Sequence, residues 1–172
     1  GGWEELPNHG TEVSAASLLE VLYVNTDNLI DTKDMFRVCT RLEKVKGLQI
    51  KENITSMGCM FDNCQSLSLI ENLSEWKVNN VTSMGYLFYN CDNLTGELDL
   101  SNWETDSLIN LNYIFSESTG LTTIDLSNWD VSNVTDMSAM FSNTGYSAKL
   151  WNIEDLSKWD TSKVTTMEGM FY

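Results

Sequence analysis

Apolar side chains recur in this chain on a fixed long period. Six phenylalanines, Phe36, Phe61, Phe88, Phe115, Phe141 and Phe171, are separated by 25, 27, 27, 26 and 30 residues. Such a period predicts a repeat protein in which one small unit stacks on the next. The clearest copy reads Leu121-x-x-Ile124-x-Leu126-x-x-Trp129-x-Val131, then Val134-Thr135-x-Met137-x-x-Met140-Phe141. Trp76, Trp103, Trp129 and Trp159 each lie 12 residues before a Phe, and Ile54, Val81, Leu108, Val134 and Val164 lie 7 before. Cys39, Cys64 and Cys91 stand 3 after it, where later copies carry Ser118 and Thr144.

The spacing inside a unit predicts its local structure. Ile124-Asp125-Leu126-Ser127 alternates apolar and polar, as a half-buried strand does. Val134, Met137, Met140 and Phe141 fall on one face of a short helical segment, and Thr135 stands where an N-cap belongs, as do Thr55, Thr82 and Thr165. The fold class expected is an α/β repeat: a leucine-rich-repeat-like solenoid with a parallel β-ladder of short strands and short helical segments on the return side. Residues 26–172 would form about five to six repeats, and residues 1–25 an N-terminal cap or a degenerate first coil. Glu12 to Tyr23 reads as an amphipathic helix able to cap an open edge. The pattern stops at Phe171-Tyr172, where another strand is due, so we expect a truncated C-terminal repeat.

Charge narrows the partners. Ten Lys+Arg against 25 Asp+Glu leave −15, which disfavours nucleic acid and anionic membrane surfaces. Residues 33–51 hold six basic residues against Asp34 and Glu43, or +4, whereas residues 52–172 hold four Lys against 17 acids, or −13. A basic head on an acidic body would favour head-to-tail self-association through uncapped ends; a solvated face of one coil is the plainer reading.

Two columns are expected on the outward side of the strands. Asn72, Asp99, Asp125 and Asp155 each lie 4 residues before a Trp; Ser74, Ser101, Ser127 and Ser157 lie 2 before. Stacked carboxylates repel, by roughly 1 kcal/mol per pair in water, so a basic partner or cation would be favoured there. A flat column gives too few oxygens for calcium, and neither a D-x-D-x-D-G loop nor C-x2-C spacing occurs, so no metal is expected. The cysteines read as buried free thiols packed as small apolar residues, with a Cys59–Cys64 bridge as the competing reading. The Trp column reads as core rather than as a sugar platform, and the methionines as core with no cofactor. Sequons at Asn53, Asn80 and Asn133 are the repeat's own Asn before Thr; Asn72 and Asn93 start two more. With one histidine and no G-x-S-x-G or phosphate loop, no enzymatic role is expected.

The phrases Leu126-Ser127-Asn128-Trp129-Asp130-Val131-Ser132-Asn133-Val134-Thr135-Asp136-Met137 and Leu156-Ser157-Lys158-Trp159-Asp160-Thr161-Ser162-Lys163-Val164-Thr165-Thr166-Met167 resemble the bacterial surface protein repeat of the BspA-like leucine-rich family, found also in surface lipoproteins. The resemblance spans roughly residues 26–172. It implies a non-enzymatic adhesion or protein-binding module, at the cell surface or secreted, that contacts a host or matrix protein or glycan. A structural spacer with no ligand of its own is the alternative. No membrane insertion is expected of this segment, and no signal peptide or anchor is legible in it. The insertion from Tyr146 through Lys149 to Trp151 lengthens the last spacing to 30 residues and is a second candidate contact site.

Overall fold

Aromatic side chains from successive units meet in register. In the computed structural model, which describes residues 18–146, 152–153 and 156–172, the six Phe rings form a column. Their centroids are 5.4 to 6.0 Å apart and their planes within 13° of parallel. Trp76, Trp103 and Trp129 form a second column at 6.1 and 6.0 Å. Around them Ile54, Val81, Leu108 and Val134, with Met57, Met84, Leu111 and Met137, are completely buried. No unit could bury this surface alone.

Six short strands lie beside these columns. β1 (Glu20–Val21), β2 (Lys44–Val45) and β3 (Leu69–Ile70) make one parallel sheet in that order. A second contains β4 (Gly96–Asp99), β5 (Leu121–Asp125) and β6 (Asn152–Ile153). Of the helix expected over Glu12 to Tyr23, residues 12–17 lie outside the described residues; the rest is extended or irregular and contains β1, and Val24 bridges to Leu48.

The expected leucine-rich-repeat-like solenoid with helical returns is not what forms. Among the described residues the helical content is one three-residue 3-10 turn, Leu73–Glu75. The return segments are instead chains of turns whose amides alternate in direction. The N–H groups of Met57, Cys59, Phe61 and Asn63 donate to the carbonyls of Ser83, Gly85, Leu87 and Tyr89 in the next unit, at 2.9 to 3.0 Å. Those of Met60, Asp62 and Cys64 turn back to Met57, Cys59 and Phe61 at 3.0 to 3.2 Å. An α-helix sends every amide along its own axis and leaves none for a neighbour. The alternation requires left-handed backbone two residues either side of each Phe, as at Cys59 (φ 56°), Asn63 (φ 60°), Tyr86 (φ 59°) and Asn90 (φ 52°). The threonines expected as N-caps donate across units too: Thr55 Oγ1 reaches the Ile30 carbonyl at 3.0 Å and Thr165 Oγ1 the Thr135 carbonyl at 2.9 Å.

Val38 occupies the left-handed site that Asn63, Asn90 and Asn143 hold in other units, at φ 60°. A β-branched residue is strained there, whereas Asn tolerates it. Val38→Asn is therefore expected to raise stability by about 1 kcal/mol, read as an upward shift in thermal midpoint.

The expected β-ladder is also discontinuous: no strand pairing joins β3 to β4. Residue counts explain the break. From strand residue to the next core aliphatic residue there are three steps in the first units (Val21 to Val24, Val45 to Leu48, Ile70 to Leu73) and two in the next (Leu98 to Leu100, Ile124 to Leu126). Leu94 to Leu98 takes four steps where Leu67 to Ile70 and Leu121 to Ile124 take three. The strands of the third and fourth units therefore cannot share a register. The surplus is absorbed by left-handed Asn72 (φ 58°) and the 3-10 turn after β3, and by Gly96 (φ 85°) and the register shift at the start of β4.

Candidate functional site

The interior leaves few polar groups free. Each buried indole N–H donates to a carbonyl one unit back: Trp76 to Leu48 at 3.1 Å, Trp103 to Leu73 at 2.9 Å and Trp129 to Leu100 at 3.2 Å. The residue three after Phe61, Phe88, Phe115 and Phe141 does the same. Cys64 donates to the Phe36 carbonyl at 3.0 Å, Cys91 to Phe61 at 3.2 Å and Thr144 to Phe115 at 2.8 Å, and Ser118 donates to Phe88. This column is thus not one of small apolar residues but of buried S–H and O–H donors, which is why Cys, Ser and Thr interchange in it. All four cysteines are free. Burial pushes the Cys39 thiol up to about 11 and raises those of Cys64 and Cys91, keeping the latter two protonated as donors.

The sequon asparagines also link units. Asn53, Asn80 and Asn133 donate through Nδ2 to the carbonyls of Thr26, Glu52 and Asp106 at 2.8 to 2.9 Å. The basic residues of the early units pair with neighbouring acids: Lys46 with Glu20 at 2.6 Å, Arg37 with Asp62 at 2.8 Å, and Lys51 with Asp27. The expected basic head is to that extent neutralised within the stack.

The outward columns divide. Asp99 and Asp125 are register partners, so carboxylates do stack on the sheet. Each is turned onto its own chain: Asp99 Oδ1 accepts from the Ser101 N–H and Oγ at 3.1 and 2.7 Å, and Asp125 Oδ1 from those of Ser127 at 3.0 and 2.7 Å. Asn72 makes no such cap, and Ser74 sits in the 3-10 turn. Asp155 lies outside the described residues, and Ser157 is exposed. At the insertion Tyr146 is exposed, while Lys149 and Trp151 lie outside the described residues.

Three of the predicted residues, Asn72, Ser74 and Asp99, are brought together at the break between the sheets. There the surface opens into a cavity of about 450 Å³ between β3 and β4. Its floor is Ile70, Leu73, Leu94, Leu98 and Leu121; its exposed rim includes Ser68, Glu75, Thr95 and Glu97. Ile70 and Leu73 are 8% exposed and Leu94 and Leu98 5%, whereas the corresponding Val45, Leu48, Leu67 and Ile124 are at 0%. The core reaches solvent at this notch. Rim acids are Glu75, Glu97 and Asp99, with no basic residue in the lining. A smaller cavity of about 290 Å³ lies on the return side beside Gly58, Gly85 and Tyr86, whose ring stacks on Tyr113 at 4.6 Å.

Hydrogen bonds from the backbone and hydroxyl of Ser127, Ser132 and Ser162 hold the carboxyls of Asp125, Asp130 and Asp160 below the usual range. A depressed folded-state value stabilises above the unfolded pKa and is lost as pH falls through the folded one. Thermal stability is therefore expected to be flat from neutral pH to about pH 5 and to fall below about pH 4. Circular-dichroism melts across that range check it.

Among the described residues no group of three or more His, Cys, Asp and Glu is placed to hold a metal ion, and no helix is long and apolar enough to cross a membrane. Stacked units, paired columns and one interruption define a repeat protein. The chain belongs to the family described as Mycoplasma protein of unknown function, DUF285, whose model matches residues 16–69 and 55–172. Among curated proteins none matches.

Proposed function

We propose that the protein is a non-enzymatic binding module, presented at a cell surface or secreted, that recognises another macromolecule through its outward strand side. The observation that carries this reading is the division of labour among side chains. Buried polar groups are paired from unit to unit, while an acidic, partly apolar surface is left open at the junction of the two sheets. The resemblance to bacterial surface repeats supports the same placement and favours a host or matrix protein or glycan as partner. A module of this kind retains specific proteins when immobilised and challenged with extracellular-matrix and epithelial surface proteins. No specific retention of any of them would favour a spacer instead.

The expected surface can be tested within that assay. Because Asp99 and Asp125 accept hydrogen bonds from Ser101 and Ser127, alanine there would remove turn contacts as well as charge. Asn keeps an oxygen acceptor and is the cleaner substitution.

A further inference from the structure

Resting on that reading, we infer that the notch between β3 and β4 is a strand-addition site for an extended, basic peptide segment. Within each sheet parallel strands satisfy one another, but β3 and β4 each end their sheet at this notch. No backbone hydrogen bond runs between residues 68–75 and 94–99. Two strand edges therefore face one opening, and an unpaired edge is a template for a further strand. Main-chain bonds to such an edge supply affinity, and pockets for alternate side chains supply specificity.

The shape and chemistry of the notch select the occupant. Its volume of about 450 Å³ falls within the range of ligand sites. Ile70, Leu73, Leu94 and Leu98 offer an apolar floor to the inward side chains of an extended segment. Glu75, Glu97 and Asp99 line the rim with no opposing cation, so the outward side chains of the segment are Lys or Arg. The −15 net charge favours approach of the same partner from a distance. Exposed Leu69 at the β3 edge, 40% accessible, would be covered on binding. Nothing comparable exists at the β4–β5 boundary, where the strands pair.

The test is titration of the whole chain with a fluorescein-labelled hexapeptide alternating lysine and valine, followed by fluorescence anisotropy and amide chemical shifts. Saturable binding with shifts centred on residues 68–75 and 94–99 is expected. A peptide alternating lysine and proline, which keeps the lysine N–H groups but has no donor along the other edge, should bind at least about tenfold more weakly. So should the original peptide to the Glu75→Lys, Glu97→Lys double variant, whose changes are at exposed positions and leave the fold intact by circular dichroism. Equal binding of the proline peptide, equal binding to the charge-reversed variant, or shifts confined to other units would overturn the assignment. If the charge-reversed variant still retains a matrix or epithelial protein in the capture assay, the notch is not the contact surface although the binding-module reading stands. If neither variant nor parent retains anything while the peptide binds the notch, the notch stands and the module reading fails.

Discussion

Replacing Trp103 with alanine is expected to destabilise the protein by about 3–5 kcal/mol, the range for large aromatic truncations in a core. Trp103 is 1% exposed and lies between Trp76 and Trp129, with near-parallel contacts on both faces. Truncation removes both contacts and leaves the Leu73 carbonyl without its indole donor. Domains of this size are stable by only about 5–15 kcal/mol, so the variant is expected to unfold at a far lower denaturant concentration. Trp103→Phe separates the contributions. It keeps most of the stacking and loses the indole N–H, while the Leu73 carbonyl still accepts from the Trp76 N–H at 3.3 Å, so the cost is that of one net hydrogen bond, about 0.5–1.5 kcal/mol. Chemical denaturation of both variants checks the pair.

The second large effect is expected at Ser118. Its hydroxyl donates to the Phe88 carbonyl and accepts from the Cys91 N–H at 3.1 Å, so alanine strands two buried backbone groups. Each unmet group costs about 1–3 kcal/mol, which places Ser118→Ala at about 2–6 kcal/mol. Ser118→Cys restores a donor of the kind Cys64 and Cys91 provide in the preceding units and is expected to recover most of the loss. If alanine and cysteine were equally tolerated, the column would be one of size alone. Denaturation midpoints of the two variants decide.

Much of the interior was legible because its signal is periodic. Phe36 through Phe171 and the Trp column recur at fixed offsets, and side chains that recur in register are those that stack. The return side was misread for a physical reason. Val134, Met137, Met140 and Phe141 have helical spacing, but the same spacing arises when turns alternate amides between the chain itself and the next unit. Left-handed backbone at Cys59, Tyr86 or Tyr113 leaves no mark in residue type. At Asn63, Asn90 and Asn143 it does, since Asn is favoured there.

The donor column also carried a signal. Cys64, Cys91, Ser118 and Thr144 share an S–H or O–H and little else, which points to a hydrogen bond rather than to volume. Asp99 and Asp125 were placed on the strand side, but their capture by Ser101 and Ser127 two residues on depends on local turn geometry. The break between the sheets was countable in advance, since the step from Ile70 to Leu73 is one longer than that from Leu98 to Leu100. Its consequence, core leucines reaching solvent beside three carboxylates, needed the structure. So did the Tyr86–Tyr113 stack, because tyrosine there does not recur in the other units.

Amide hydrogen exchange across residues 55–64 and 82–91 tests the account most directly, because protection follows where each N–H points. Slow exchange is predicted at Met57, Cys59, Phe61 and Asn63 and again at Met84, Tyr86, Phe88 and Asn90, all opening together, since each donates to the following unit. Exchange of these alternate amides at the rate of an unfolded chain, while Met60, Asp62 and Cys64, which bond within their own unit, stay protected, would contradict it.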